Sequence, residues 1–283
     1  HDMWPYCGAE HYTQDSRFKN GYQKKNRPDY EKGFDLNKWV WKRKKKYWNF
    51  KINIICTSKW QKNMASDSIL FKDQNINLIP LPLNTEKLIP INKITARKIL
   101  QLNKDKKILL IGSEGLHHFK RKGMDIIKDI FKNKLINLNK IQVLVLGRTK
   151  LQLENLSDVK YLGYKKNEFT TLRLIYSASD LLLMPSRLES FGQMALEAGS
   201  CETPTICFEN TGTEDVVKHK YSGYVAKYLD IKDFSHGIDW CLNVERQAEI
   251  QRNAREFVKK NFDSKKIAKQ YISLYETILK NCN

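Results

Sequence analysis

No stretch of this 283-residue sequence stays apolar long enough to cross a bilayer. The longest apolar runs, Ile108 to Ile111, Val143 to Leu146 and Leu181 to Met184, fall far short of the roughly 18 to 20 residues a spanning helix needs. No basic stretch followed by an apolar one opens the sequence, so no secretory signal is expected. Close cysteine pairs are missing as well. Among Cys7, Cys56, Cys201, Cys207, Cys241 and Cys282 there is no CxxC, and none stands at zinc spacing from a histidine. Several lie in apolar surroundings, as reduced core thiols do, which points to a reducing compartment and no structural metal. Arginine is scarce: it supplies 11 of the 50 basic residues, the rest being lysine, and asparagine and isoleucine abound. That bias is what AT-rich coding produces. With no ribonucleoprotein signature, zinc finger or basic-zipper heptad, the net charge of +19 is not read as nucleic-acid binding.

With 41% hydrophobic and 29% charged residues, the composition is that of a soluble globular protein rather than a disordered chain. The basic run Lys42 to Lys46 lies among Trp39, Trp41, Tyr47 and Trp48. One reading is peripheral contact with an anionic membrane, where such aromatics favour the interface. The other is a solvated helix face with its aromatics packed inward.

Along the chain, Glu31 to Trp48 reads as a basic helix, Ile52 to Cys56 and Asn75 to Pro80 as short strands, and Ser58 as the cap of a helix from Lys59 to about Ile69. Pro80, Pro82 and Pro90 stop regular structure, and a domain boundary is placed at 85. Beyond it, short apolar strands alternate with amphipathic helices. Strands are expected at Lys107 to Ile111, Ile141 to Leu146, Val159 to Leu162, Asp180 to Met184 and Thr205 to Phe208. Helices are expected at Gly123 to about Leu135, Glu168 to Ala178 and Gln193 to Gly199, and the tail from Asp230 is helical, with one long helix from Ser264 to Lys280. This is the α/β pattern of a doubly wound parallel sheet, which binds ligands at the carboxyl ends of its strands. The expected organisation is 1–85, 86–262 and a C-terminal helix, 263–283, that could cross back to the first domain.

The segment from Asp180 to Gly199 carries the chemistry. A buried strand ends at Pro185-Ser186, a loop carries Glu189, and Phe191-Gly192 opens a helix containing Glu197. Gly192 lets backbone approach a ligand closely. The unpaired first N–H groups and the dipole of that helix suit an anion such as a diphosphate. About a turn into the helix, Glu197 can accept two hydrogen bonds from a vicinal diol such as a ribose. Glu189 can reach hydroxyls of a sugar on the far side of the phosphates.

Pro185, Ser186, Glu189, Phe191, Gly192, Glu197 and Ala198 stand as in the Pro-Ser-x-x-Glu-x-Phe-Gly-x-x-x-x-Glu-Ala hallmark of glycosyltransferase family 4, which this segment resembles. The likeness extends to Tyr176-Ser177-Ala178-Ser179-Asp180, Thr203-Pro204, Thr211 to Val217, Ser222-Gly223-Tyr224, Thr57 to Trp60 and Ile79-Pro80. The resemblance implies a GT-B fold, two Rossmann-like domains facing a cleft. In it Glu197 holds the ribose, Glu189 contacts the donor sugar, and the backbone of Phe191, Gly192, Gln193 and Met194 meets sugar and phosphate. Lys122-Gly123 matches a Lys-Gly element whose lysine neutralises the diphosphate. Ser113 stands where the family often has arginine, a charge that Lys120, Arg121 or Arg148 would have to supply. His1-Asp2-Met3-Trp4-Pro5 resembles an acceptor-side segment whose histidine touches the donor sugar, which gives His1 a catalytic role. Because that histidine comes first here, the first domain is expected to be incomplete. His117-His118 receive no role.

The resemblance implies a retaining glycosyltransferase. It would move a sugar from a nucleotide diphosphate sugar to a saccharide or lipid-linked acceptor, in lipopolysaccharide, O-antigen or capsule synthesis, in the cytoplasm or on the inner face of the plasma membrane. With no Asp-x-Asp motif, no metal or other cofactor is called for. The competing readings are a truncated, inactive nucleotide-sugar-binding remnant, a basic nucleic-acid binder, and a hydrolase using Glu189 and Glu197 as acid and base.

Overall fold

The computed structural model describes residues 2–48, 50–113, 119–148, 152–163 and 168–280. The chain divides into two compact units, His1–Pro80 and Leu81–Asn283. The break comes ahead of the expected 85 because residues 83–85 are tied to the C-terminal part. The Leu83 N–H donates to Phe262 O at 2.9 Å, Ser264 N–H to Leu83 O at 2.9 Å, and the Thr85 hydroxyl to Asp263 at 2.6 Å. The C-terminal helix belongs to the second unit.

In the first unit, helices α1 (Arg17–Asn20), α2 (Leu36–Tyr47) and α3 (Lys59–Ser66) accompany strands β1 (Asn53–Cys56) and β2 (Asn75–Leu78). The two strands pair in parallel, Asn53 opposite Asn75 through Cys56 opposite Leu78. Met3, Tyr6, Phe18, Tyr22, Trp41 and Phe71 belong to its core. Ser58 caps α3 as expected, accepting from Gln61 N–H at 3.0 Å. The basic helix is shorter than Glu31 to Trp48. Gly33 takes φ +68°, and Asp35 caps the helix by accepting from Lys38 N–H at 2.9 Å. Glu31 and Asp35 instead serve the fully buried Arg17 guanidinium, at 2.9 and 2.6 Å.

The basic run is split between inside and outside. Lys44 is buried: its ammonium donates to the carbonyls of Trp4, Cys7 (3.0 Å) and Gly8 (2.7 Å) and lies 3.8 Å from the centre of the Trp4 ring. Burial pushes its pKa down to about 8, against the pull of nearby negative groups. Trp41 is buried and Trp48 stacks on Phe71. Trp39 and Tyr47 point outward, and the Arg43 guanidinium lies over both rings at 4.9 and 5.8 Å. Neither reading of the run therefore describes all of it.

The second unit is built on a six-stranded sheet in the order β5-β4-β3-β6-β7-β8. Its strands are β3 (Lys107–Ser113), β4 (Ile141–Gly147), β5 (Val159–Gly163), β6 (Leu181–Met184), β7 (Thr205–Phe208) and β8 (Gly223–Ala226), all in parallel register. Alternate residues face opposite cores. Leu109, Ile111, Val143 and Leu183 meet α5 (Met124–Lys132) and α8 (Ile231–Leu242). Ile108, Leu110, Leu144 and Leu182 meet α6 (Phe169–Ala178), α7 (Gln193–Ser200) and α9 (Val244–Phe262). Covering on both faces is why these strands read as unbroken apolar runs. Two elements of this unit were not anticipated, β8 and α4 (Lys93–Ile99), nor was α1 in the first. The final helix, α10 (Ser264–Lys280), has the expected bounds.

Asp180 is 3% exposed and fastens α4 to the sheet. It takes Lys93 at 2.9 Å, the Arg97 guanidinium, Ile108 N–H at 2.7 Å and Gln247 at 3.3 Å. Cys7, Cys56, Cys201, Cys207 and Cys241 are all buried free thiols, while Cys282 lies outside the described residues. Burial pushes the Cys56 and Cys201 thiols up to about 11 and about 12. Among the described residues no helix is long and apolar enough to cross a membrane.

Candidate functional site

The strand order is that of sheets whose winding reverses between two neighbouring strands, and the crevice above such a pair is where ligands bind. Here the pair is β3 and β6, with Leu109 beside Leu181 and Ile111 beside Leu183. The chain leaving β6 runs through 185–192 into α7, and residues 119–123 lead into α5.

Close packing joins these two loops. Gly123 sits at φ +68°, and a Cβ there would stand 1.9 Å from Pro185 O, so this turn requires glycine. Arg187 N–H donates to Arg121 O at 2.8 Å. Its guanidinium grips both Asp125 oxygens at 2.7 Å and also reaches Lys120 O at 2.6 Å. Burial works against ionisation of Asp125, but Arg187 outweighs it and holds that carboxyl below the usual range. Arg121 donates to Leu188 O at 3.1 Å, so its guanidinium braces the Glu189 loop. A bidentate guanidinium–carboxylate pair fixes orientation as well as distance.

Between the braced loops the Lys122 ammonium bonds the Glu189 carboxylate, whose residue is 8% exposed. The Glu189 carbonyl takes Gly212 N–H at 2.7 Å, which brings in the turn after β7. Gly192 then caps α7 at φ +94°, with the Thr213 side chain where a Cβ would go. The Thr213 hydroxyl is buried and has no hydrogen-bond partner among the described residues. Phe191 is buried edge-on to Phe262, so only its backbone is available to a ligand. Gln193 is exposed, and Met194 lies against Gly112 at the end of β3, where a Cβ would meet its sulfur at 2.3 Å. One turn into α7, Glu197 accepts from the Tyr176 hydroxyl at 2.7 Å and from Gln193 at 3.1 Å.

The structure thus brings Arg121, Lys122, Glu189, Phe191, Gly192, Gln193, Met194 and Glu197 to the ends of β3 and β6. His1, His117 and His118 lie outside the described residues. Glu189 and Glu197 have different partners, an ammonium for one and a phenol and amide for the other. Among the described residues no group of three or more His, Cys, Asp or Glu could hold a metal ion. Sequence reasoning missed Arg187 and Asp125, and quoted Tyr176 and Thr213 without giving them work. Arg187 and Asp125 are 62 positions apart, and nothing local announces their meeting.

Comparison with known proteins bears on the fold and the family. An N-acetyl-alpha-D-glucosaminyl L-malate synthase from Bacillus anthracis is 33% identical over 127 residues, 44% of this chain and 32% of that protein. An N,N'-diacetylbacillosaminyl-diphospho-undecaprenol alpha-1,3-N-acetylgalactosaminyltransferase from Campylobacter jejuni is 29% identical over 211 residues, 70% of this chain and 53% of that protein. The chain therefore spans between a third and about half the length of these relatives. Among solved structures, the sucrose-phosphate synthase of Thermosynechococcus elongatus superposes with a TM-score of 0.69 at 24% identity, over 81% of this chain and 59% of that one. HepE from Anabaena, solved with UDP-glucose, gives 0.65 at 19%, over 81% and 65%. These likenesses show the GT-B fold. Residues 92–257, more than half of the chain, match the model for glycosyl transferases group 1, and the chain belongs to that family.

Proposed function

We propose that this chain binds a nucleoside diphosphate sugar at the β3–β6 switch point and is the donor side of a retaining glycosyltransferase of family 4 type. The observation that carries the reading is the convergence there of a lysine, two separately held glutamates and a glycine-capped helix N-terminus. The α7 N-terminus and Lys122 receive the diphosphate, Glu197 takes the ribose hydroxyls, and Glu189 faces the sugar. In the reaction, the bond from the anomeric carbon to the diphosphate breaks and one to the acceptor oxygen forms on the same face. The acceptor proton passes to the departing diphosphate. The protein's task is to stabilise charge growing on that leaving group, and one such contact is worth roughly 3 kcal/mol, or about a hundredfold in rate. Glu189 holds Lys122, so a diphosphate meets an ammonium already in place.

The acceptor in this reading is a saccharide or a lipid-linked saccharide in surface-polysaccharide synthesis, with no metal required. The relative from Campylobacter jejuni is named for transfer to a diphospho-undecaprenol-linked sugar. Contact with the inner face of the plasma membrane would use the outward side of α2, where Trp39, Arg43 and Tyr47 lie together.

The test is calorimetric binding of UDP, GDP and ADP and their common sugars to the chain and to Glu197→Ala. One diphosphate should bind selectively and lose affinity in the variant. A folded chain that binds none of them would overturn the reading and leave an inactive remnant.

A further inference from the structure

We propose that Tyr176 is a positioning residue for ribose recognition: its hydroxyl holds the Glu197 carboxylate in the orientation that accepts a vicinal diol. The inference rests on the reading of Glu197 as the ribose acceptor.

Tyr176 lies in the last turn of α6 and is 1% exposed. Its backbone is pinned, since its carbonyl receives both Ser179 N–H at 3.0 Å and the Thr203 hydroxyl. Its ring belongs to the same core as Leu182, Leu196 and Cys201, and a side chain packed this way has little freedom to change rotamer. The phenol therefore presents its O–H from a fixed point, 2.7 Å from one oxygen of Glu197. Burial, reinforced by the charge of Glu197, raises the phenol pKa well above its ordinary value, so it remains a donor at any working pH.

A glutamate on its own has three torsions and no preferred aim. An ionised carboxylate offers about four lone-pair directions, two on each oxygen. Tyr176 takes one on the first oxygen, and Gln193 takes one on the second at 3.1 Å. One direction is left on each oxygen, which is the pattern that two neighbouring hydroxyls need. Gln193 is exposed and can swing away, whereas Tyr176 cannot. Phenylalanine would fill the same volume, so the hydroxyl serves the carboxylate rather than the packing.

The experiment uses the full chain and titrates UDP, GDP and ADP, each with its 2′,3′-dideoxy counterpart, into wild type, Tyr176→Phe, Glu197→Gln and the double variant. Tyr176→Phe should weaken the ribonucleotide that binds by about tenfold, the scale of one charge-assisted hydrogen bond, and leave its dideoxy counterpart unchanged. The double variant should bind no more weakly than Glu197→Gln. If Tyr176→Phe moves both ligands equally, or neither, while Glu197→Gln abolishes the ribose preference, the inference is wrong and the donor-site reading stands. If Glu197→Gln leaves that preference intact, the reading of Glu197 fails and takes the inference with it. Should the phenylalanine variant not fold, Tyr176→Met lacks the hydroxyl equally and carries the same comparison.

Discussion

Asp180→Asn should destabilise the second unit by about 3 kcal/mol, the low end of the cost of breaking a buried ion pair from one side. Asparagine keeps the shape and one oxygen for Ile108 N–H, so charge is what is lost. Lys93, with its side chain 30% exposed, can turn to water. Arg97, with its side chain 11% exposed, cannot turn so easily. Its other nitrogens are committed to the carbonyls of Ala178, Lys104 and Lys106 at 3.0 to 3.3 Å. One buried guanidinium is therefore left uncompensated. For a unit of this size, that corresponds to a fall of about 6–12 °C in Tm, read by circular dichroism. The pH dependence gives an independent check. Burial raises the Asp180 pKa, but Lys93, Arg97 and the Ile108 N–H together outweigh it, and the folded pKa lies below the ordinary carboxylate value. Its contribution is thus fully present above about pH 4 and lost as pH falls through the folded pKa. The gap between wild type and variant should close on acidification. Adding Arg97→Met to the variant should recover part of the loss. A loss below about 1 kcal/mol at pH 7, or a gap that fails to narrow as pH falls below about 4, would refute the argument.

Gly123→Ala puts a methyl group into Pro185 O at a positive φ, a strain of about 1–3 kcal/mol, and calorimetry should show about tenfold weaker diphosphate binding by a folded chain. Arg187→Lys keeps the charge but loses the two-pronged grip on Asp125, and in a transfer assay kcat should fall by about tenfold with KM little changed. Lys44 has its pKa lowered from 10.5 to about 8, so the unfolded chain holds more protons at this group in that interval, and Lys44 contributes a rise in stability from pH 8 to 10.5 that runs against the fall produced above pH 9 by the raised Cys56 and Cys201 thiols. In urea titrations the stability of wild type relative to Lys44→Met should therefore increase from pH 8 to 10.5. Replacing Trp39 and Tyr47 by alanine should reduce sedimentation with phosphatidylglycerol vesicles and with neutral vesicles alike, because aromatic side chains enter the interface whatever its charge. Salt should weaken the wild-type interaction.

What was legible in the sequence was whatever depends on neighbouring residues or on a periodic pattern. The runs at 107–111, 141–146 and 205–208 read as strands because both faces are covered. Ser58 announced α3, and the order of Pro185, Glu189, Gly192 and Glu197 placed a strand end, a loop and a helix start in succession. β8 was missed because Gly223-Tyr224-Val225-Ala226 is short and opens on glycine, and becomes a strand only beside β7. α4 has few apolar residues, and its Lys93 and Arg97 act only once Asp180 is within reach. The basic run misled in part because its lysines look alike in sequence. Only the fold shows that Lys44 faces three carbonyls while Arg43 faces outward. In the site, residues along 185–197 could be read in order, whereas the Arg187–Asp125 grip and the aim of Tyr176 depend on contacts across the sheet end.

The burial of five cysteines makes the molecule its own reporter of opening. Cys7 and Cys56 lie in the first unit, and Cys201, Cys207 and Cys241 in the second. A thiol reagent can modify them only when the surrounding structure parts, so with Cys282 replaced by serine, peptide-resolved labelling rates follow the opening of each unit separately. Adding a nucleoside diphosphate should then slow the three later cysteines, the logarithm of the labelling rate falling in step with the binding energy it contributes to the second unit. The same experiment would reveal, without any enzymatic assay, whether occupancy of the strand ends is felt by the thiols at positions 7 and 56.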